Sequence, residues 1–258
     1  MRKIFHIARV TVREALRQKL AVNLLVFAVF LVGTSIVISQ FTFGAQYRII
    51  VDIALSSMEV FGTLIAVFLG AGLIAGEVER RTVYPIVAKP VSRGEYVVGR
   101  YLGLVATTTL NLAVMALVLV AVLASYHRSF AFLRDTPILA TLLAMALQFA
   151  MVAAVAVFFS SFTTATLAAI FALSLVVAGH LASDLVRYWG QQGGAARIVG
   201  QFLYFIVPNL EALNLKEAMV YKDPLPAGFA LAGYGYGFLY AAAVVALTSG
   251  VFARRDLR

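Results

Sequence analysis

Residues 136–183 read TPILATLLAMALQFAMVAAVAVFFSSFTTATLAAIFALSLVVAGHLAS and contain no Asp, Glu, Lys or Arg over 48 positions. A helix needs roughly 20 apolar residues to cross the hydrocarbon core of a bilayer, so this stretch is long enough for two crossings. A polar cluster, Ser160-Ser161-Phe162-Thr163-Thr164, interrupts it near the middle. We therefore predict two membrane-spanning helices joined by a tight turn.

Four further long stretches also lack charged residues: Ala21–Tyr47, Val60–Gly76, Tyr101–His127 and Pro224–Ala253. Together with the first, they predict an all-α, polytopic membrane protein with six transmembrane helices, at about 21–41, 58–76, 101–124, 137–159, 163–182 and 227–252. The second crossing reaches full length only if Met58 and Glu59 lie at the headgroup level. We therefore expect Glu59 at a membrane surface.

The composition of the 258-residue chain agrees with this class. It is 62% hydrophobic and 13% charged, and its mean hydropathy is +0.93, whereas a soluble domain is about 25% charged. A soluble enzyme and a disordered tail are both excluded. Cysteine is absent, so the sequence offers no disulfide or thiolate metal site, and the methionines have no close ligand spacing for copper.

The basic residues indicate the orientation. If the N-terminus is cytoplasmic, the cytoplasmic segments hold 14 of the 21 basic residues and five of the 12 acidic ones, which accounts for the whole net charge of +9. Loops rich in Lys and Arg remain in the cytoplasm, so we predict that both termini are cytoplasmic, in the plasma membrane of a bacterium or archaeon. The charge thus reflects topology, and no nucleic-acid partner is expected.

Residues 1–20 precede the transmembrane domain, 21–253, and residues 254–258 form a short cytoplasmic tail. Lys3–Leu20 can form a helix with Arg9, Arg13 and Arg17 on one face. Such a basic amphipathic helix lies on an anionic membrane surface. The alternative is a frayed basic tail that merely obeys the positive-inside rule.

Residues 77–100 form the cytoplasmic segment between the second and third crossings. Pro85 disfavours helix at the residue before it, and Ser92 with Glu95 three positions later predicts a capping box at the start of the next helix. A rigid, charged protrusion of this kind can transmit movement from a soluble partner, or it can be an ordinary loop. We interpret the outer connection, 183–226, either as a lid or partner site or as a segment that packs over the outer ends of the helices.

The pattern in this segment resembles that of the permease subunits of ABC-2 type transporters. The resemblance is carried by Glu79, Arg80 and Thr82 followed by Pro90, Ser92 and Arg93. The outer connection, with Pro208 and Asn209, is similar to the branch that includes permeases for the maturation of multicopper enzymes such as nitrous oxide reductase.

The resemblance implies an interfacial N-terminal helix, six crossings and a coupling helix between spans two and three that contacts a separate cytoplasmic ATP-binding subunit. It implies two permease copies, most simply a homodimer, and two ATPases, with a periplasmic partner as a further expectation. The residues assigned to ATPase coupling are Glu77, Glu79, Arg80, Arg81, Thr82 and Arg93. Arg81 stands where many members carry Gly.

The sequence offers no ATP site of its own. Gly94 and Gly99 have the spacing of a phosphate-binding loop, but Arg100 and Tyr101 replace its Lys and its metal-binding hydroxyl. We expect the chain to be no enzyme and to bind no cofactor or metal, with ATP and Mg²⁺ used by the partner ATPase. Two alternatives remain: a membrane anchor that transports nothing, and an intramembrane enzyme.

The enzyme alternative has little support, because neither H-E-x-x-H nor G-x-S-x-G occurs. His180 could pair with Ser174 or Ser183, but we interpret it as a satisfied interfacial histidine.

Polar groups within or beside the spans are candidates for a substrate pathway: Glu59, Thr63, Asn111, Gln148 and Ser174. Residues of these types also form hydrogen bonds between packed helices, which is the alternative for each. Export is expected rather than import, because the sequence has no extra domain for docking a substrate-delivery protein. The substrate is not indicated.

Overall fold

The structure is a computed structural model, and it describes residues 2–40, 44–79, 92–128, 132–182, 207–221 and 227–254. Within these ranges the regular elements are all helical, which confirms the all-α class. The α-helices are α1 (Arg2–Ala15), α2 (Lys19–Ser39), α3 (Gln46–Glu79), α4 (Arg93–His127), α5 (Phe132–Asp135), α6 (Ile138–Ser160), α7 (Ala165–His180), α8 (Lys216–Tyr221) and α9 (Ala227–Arg254), with a 3₁₀ turn at Glu211–Leu213.

Five of these helices, α2, α3, α4, α6 and α9, are long and apolar enough to cross a membrane. The tight turn expected at Ser160–Thr164 is confirmed, since α6 ends at Ser160 and α7 begins at Ala165. With 16 residues, α7 is about 24 Å long, shorter than the roughly 30 Å hydrocarbon core. The described helices therefore establish five candidate crossings rather than the six expected.

Helix α3 lies at the centre of the packing and contacts α2, α4, α6, α7 and α8. Its close approach to α6 depends on two glycines. A Cβ on Gly62 would lie 2.1 Å from Cζ of Phe149, and one on Gly70 would lie 2.7 Å from Cβ of Ala156. Small residues allow helices in a membrane to pack by direct backbone approach, so α3 and α6 form a tight pair.

The bundle has two chemically different ends. At one end lie α1, the end of α3, the start of α4 and the end of α9, where the Arg93 guanidinium donates to the carbonyls of Phe252 at 3.3 Å and Ala253 at 3.0 Å. This end carries the described parts of the basic segments, and we call it the basic end. The opposite end, the far end, holds the start of α3 and residues 207–221, joined by a hydrogen bond from the Tyr47 hydroxyl to the Met219 carbonyl.

The N-terminal helix is shorter than expected. Instead of continuing to Leu20, α1 ends at Ala15, and Arg17 lies in the turn that follows. Backbone bonds from Arg17 to Glu14 and from Gln18 to Ala15 tighten the last turn. Gln18 is then extended, and α2 starts at Lys19.

The start of α4 agrees with the sequence. The Ser92 side chain accepts a hydrogen bond from the Glu95 backbone at 3.2 Å, and the Glu95 carboxylate accepts one from the Ser92 backbone at 3.0 Å. The capping box is thus confirmed, and it fixes where the helix begins.

Gly103→Ala is expected to destabilise the protein by about 1–3 kcal/mol, because the new methyl group overpacks the α1–α4 contact. Its Cβ would lie 2.5 Å from Cβ of Thr11 and 2.7 Å from the Ala8 carbonyl oxygen. The matched control is Gly94→Ala on the same helix, whose Cβ would have its nearest neighbour at 4.0 Å. The free energy of unfolding of both variants is measured in mixed detergent micelles. Equal stability of the two variants would contradict the close contact between α1 and α4.

Candidate functional site

Glu59 is the centre of a polar cluster in the half of the bundle nearer the far end. Its side chain lies on α3 and the residue is only 7% exposed. Oε1 accepts a hydrogen bond from Nε2 of Gln148 at 2.9 Å and lies 3.1 Å from Nε2 of His180, and Oε2 is paired with the ammonium of Lys216. We call Glu59, Gln148, His180 and Lys216 the Glu59 cluster.

The histidine is fully engaged in this cluster. Nε2 of His180 faces the Glu59 carboxylate, and Nδ1 lies 3.0 Å from the Val176 carbonyl oxygen. Both ring nitrogens therefore face acceptors, an arrangement that the imidazolium form satisfies. These hydrogen bonds favour the interpretation of His180 as a satisfied histidine over its interpretation as the general base that activates a nucleophile.

The cluster joins four elements, because its members lie on α3, α6, α7 and α8. A charged group removed from water is costly unless it is paired and hydrogen-bonded. Gln148, His180 and Lys216 together surround both oxygens of the Glu59 carboxylate. Lys216 is the member that brings α8, and with it the end of the outer connection, down onto the transmembrane helices.

The structure places the pathway candidates in different surroundings. Gln148 joins Glu59, whereas Asn111 is buried on α4 and takes no part in the cluster's hydrogen bonds. Ser174 is exposed on α7. Thr63, one turn from Glu59, is 6% exposed, and its hydroxyl is the one buried side-chain polar atom in the described ranges without a hydrogen-bond partner.

The structure describes the surroundings of Glu59, while its depth in a membrane stays a prediction. The sequence placed it at a membrane surface because the charge-free stretch starts at Val60, and α3 begins earlier, at Gln46. Glu59 thus lies within a continuous helix, buried against other elements. Lys216 was missed altogether, and no local pattern in the sequence marks it as the partner of Glu59.

A second charged cluster lies at the basic end. The Arg100 guanidinium pairs with Glu77, which also accepts a hydrogen bond from the Tyr96 hydroxyl. Arg100 is 5% exposed and donates to Glu14 at 2.8 Å and to the Thr11 hydroxyl at 3.3 Å. This cluster fastens α1, the end of α3 and the start of α4 together.

The coupling residues that the structure describes also lie at this end. Glu77 is held by Arg100, while Glu79 is exposed at the last position of α3, with Oε1 3.4 Å from the backbone nitrogen of Ala165. Arg93 binds the final carbonyls of α9, where a basic side chain interacts favourably with the helix end. Arg80, Arg81 and Thr82 lie outside the described residues.

The sequence was compared with known protein families and proteins. Residues 5–257 match a family model described as "ABC-2 family transporter protein". No curated protein matches the sequence. The family match covers nearly the whole chain, and therefore both the basic end and the Glu59 cluster.

Glu59→Gln and Lys216→Met are each expected to lower the free energy of unfolding by about 1–3 kcal/mol, because each leaves a buried polar group without its partner. The double variant should lose less stability than the sum of the two single variants, by about 1 kcal/mol or more, because both substitutions remove the same Glu59–Lys216 interaction. Glu217→Gln, an exposed neighbour on α8, is the control and should change stability by less than about 0.5 kcal/mol. Strictly additive losses would show that the pair does not couple.

Proposed function

The chain belongs to the ABC-2 transporter family, and we propose that it is the permease subunit of an ATP-driven exporter that works with a separate cytoplasmic ATP-binding subunit. The observation that carries this proposal is the family match over residues 5–257, which implies a transmembrane component associated with an ATP-binding subunit. Several helices long and apolar enough to span a membrane support it.

In the proposed arrangement the chain crosses the membrane six times, with both termini in the cytoplasm of a bacterium or archaeon. The sixth crossing is α7, whose short length a locally thinner bilayer accommodates. Helix α1 lies at the membrane surface, a placement supported by exposed Phe5 and Val10 beside exposed Arg9 and Arg13. The basic end then faces the cytoplasm.

The proposed coupling surface consists of Glu79, Arg80, Arg81, Thr82 and Arg93. Its support is positional, because residues 80–91 connect the end of α3 to the start of α4. Those two helix ends are tied together by the Glu77–Arg100 pair, and the capping box fixes where α4 begins. We propose that a displacement of this surface is passed to both helices, because it is joined directly to the end of α3 and the start of α4.

In the proposed cycle, ATP and Mg²⁺ bind to the partner ATPases, whose closure displaces the coupling surface. Helix α3 has 34 residues and is about 51 Å long, so it connects this surface to the Glu59 cluster. Two permease copies and two ATPases form the working complex. Glu59, Thr63, Asn111, Gln148 and Ser174 are the proposed pathway residues, and Thr63 lies one turn from Glu59 on α3.

The outer connection is the proposed docking region for a periplasmic partner. A membrane anchor that transports nothing would show the same coupling surface. Transport assays on proteoliposomes containing the complex separate the two functions, because only a permease moves a substrate when ATP is hydrolysed.

Glu79→Ala combined with Arg80→Ala is expected to lower ATPase stimulation by the permease at least tenfold, because the charges that contact the ATPase are lost while the fold is kept. The control is Glu211→Ala with Arg128→Asn, two exposed residues at the far end. Asn suits position 128 because its backbone φ is 51°. ATP hydrolysis by the reconstituted complex is measured. Full stimulation by the first variant would exclude the proposed coupling surface.

A further inference from the structure

A cavity of about 350 Å³ lies at the far end, between the first turns of α3 and helix α8. It is open to solvent, and its volume lies at the lower end of the range of pockets that bind small molecules in proteins. Its lining includes four charged side chains, Arg48, Asp52, Lys216 and Glu217, together with Asn214 and Tyr221. The cavity is thus polar, although the bundle that carries it is mostly apolar.

The charges around this cavity are of both signs, yet three of them do not pair with one another. Arg48 and Asp52 are four residues apart on α3, the spacing at which opposite charges on a helix attract. In the described part of the chain, however, no ion pair within 4.0 Å involves Arg48, Asp52 or Glu217. Arg48, Asp52 and Glu217 are all exposed, so a ligand that enters the cavity from solvent can reach all three charges.

The position of Arg48 explains why it does not meet Asp52. Its guanidinium carbon lies 4.9 Å from the centre of the Tyr221 ring, within the range of a cation–π interaction. This contact draws the guanidinium across the cavity towards α8. One wall therefore offers a fork of N–H donors, and the carboxylates of Asp52 and Glu217 offer acceptors.

Lys216 connects the cavity to the Glu59 cluster. It lines the cavity and also pairs with Glu59. Its charge is thereby balanced inside the protein. The remaining charges are one guanidinium and two carboxylates, which suit a ligand with one anionic group and one hydrogen-bonding ammonium.

We propose that this cavity binds a zwitterionic phosphoethanolamine group, with the phosphate on Arg48 and the primary ammonium between Asp52 and Glu217. Guanidinium binds phosphate through paired N–H donors, and a primary ammonium has three N–H donors for the two carboxylates. A quaternary ammonium has none, so the site discriminates against phosphocholine. The group can belong to a phosphatidylethanolamine lipid or to a soluble molecule.

The position of the cavity along α3 suits a lipid headgroup. At about 51 Å, α3 is longer than the roughly 30 Å hydrocarbon core, so its ends extend beyond that core. Arg48 and Asp52 lie in its first two turns. Ile49 and Val220 supply apolar lining beside them, as the glycerol end of a lipid would require.

The test titrates the purified full-length protein in detergent with glycerophosphoethanolamine and glycerophosphocholine, by calorimetry. We expect saturable binding of the first and at least tenfold weaker binding of the second. Arg48→Gln, Asp52→Asn and Glu217→Gln should each weaken glycerophosphoethanolamine binding at least fivefold, whereas Arg128→Asn, at an exposed position outside the cavity, should not. Three variants on two helices keep the test informative if one of them misfolds.

A second arm identifies the source of the group. The protein is reconstituted in nanodiscs of equal phosphatidylethanolamine and phosphatidylglycerol, and the lipids that remain after detergent washing are measured by mass spectrometry. If phosphatidylethanolamine is enriched with the unsubstituted protein and this enrichment is lost in Asp52→Asn, the site binds a lipid. Binding of the soluble compound without that enrichment assigns it to a soluble ligand. No saturable binding in either arm, or binding that none of the three substitutions weakens, would overturn the proposal.

Discussion

The buried carboxylate of Glu59 determines how the far end of the molecule is assembled. A carboxylate inside a membrane bundle is unfavourable unless donors surround it, and here the donors come from three other elements. Helices α6, α7 and α8 must therefore keep their positions relative to α3 for the charge to be satisfied. The same pairing holds Lys216, and with it α8, against the bundle, where Lys216 also lines the adjacent cavity.

The basic end is built by the same physical rule with different residues. Arg100 is nearly inaccessible, and it is satisfied by Glu77 and Glu14 from two other helices. Between the two charged clusters, glycine and alanine allow α3 and α6 to pack closely. Helix α3 is thus held by Glu77 near its last residue, by Glu59 about 20 Å from its first residue, and by close packing between these two positions.

Local patterns in the sequence were sufficient for much of the fold. The tight turn at Ser160–Thr164 and the capping box of Ser92 and Glu95 follow from residues close together in the chain, and the structure contains both. The start of α3 could not be found in this way, because the charge-free criterion stops at Glu59. The partners of that carboxylate, Gln148, His180 and Lys216, are 89, 121 and 157 residues away in the sequence. Contacts between residues so far apart in the chain leave no local pattern, and for the same reason the cavity could not be predicted from the sequence.

In the proposed topology the basic end meets an ATPase in the cytoplasm, and the far end lies on the other side of the membrane. Because the chain contains no cysteine, Glu79→Cys and Glu211→Cys each introduce a single reactive thiol. These variants are labelled with a membrane-impermeant maleimide in sealed vesicles of known orientation, with and without the ATPase subunit. Position 79 is expected to react only from the cytoplasmic side and to be protected by the ATPase, and position 211 is expected to react only from the other side without protection. Labelling of position 79 from outside, or its full reactivity with the ATPase bound, would exclude the proposed orientation and coupling surface.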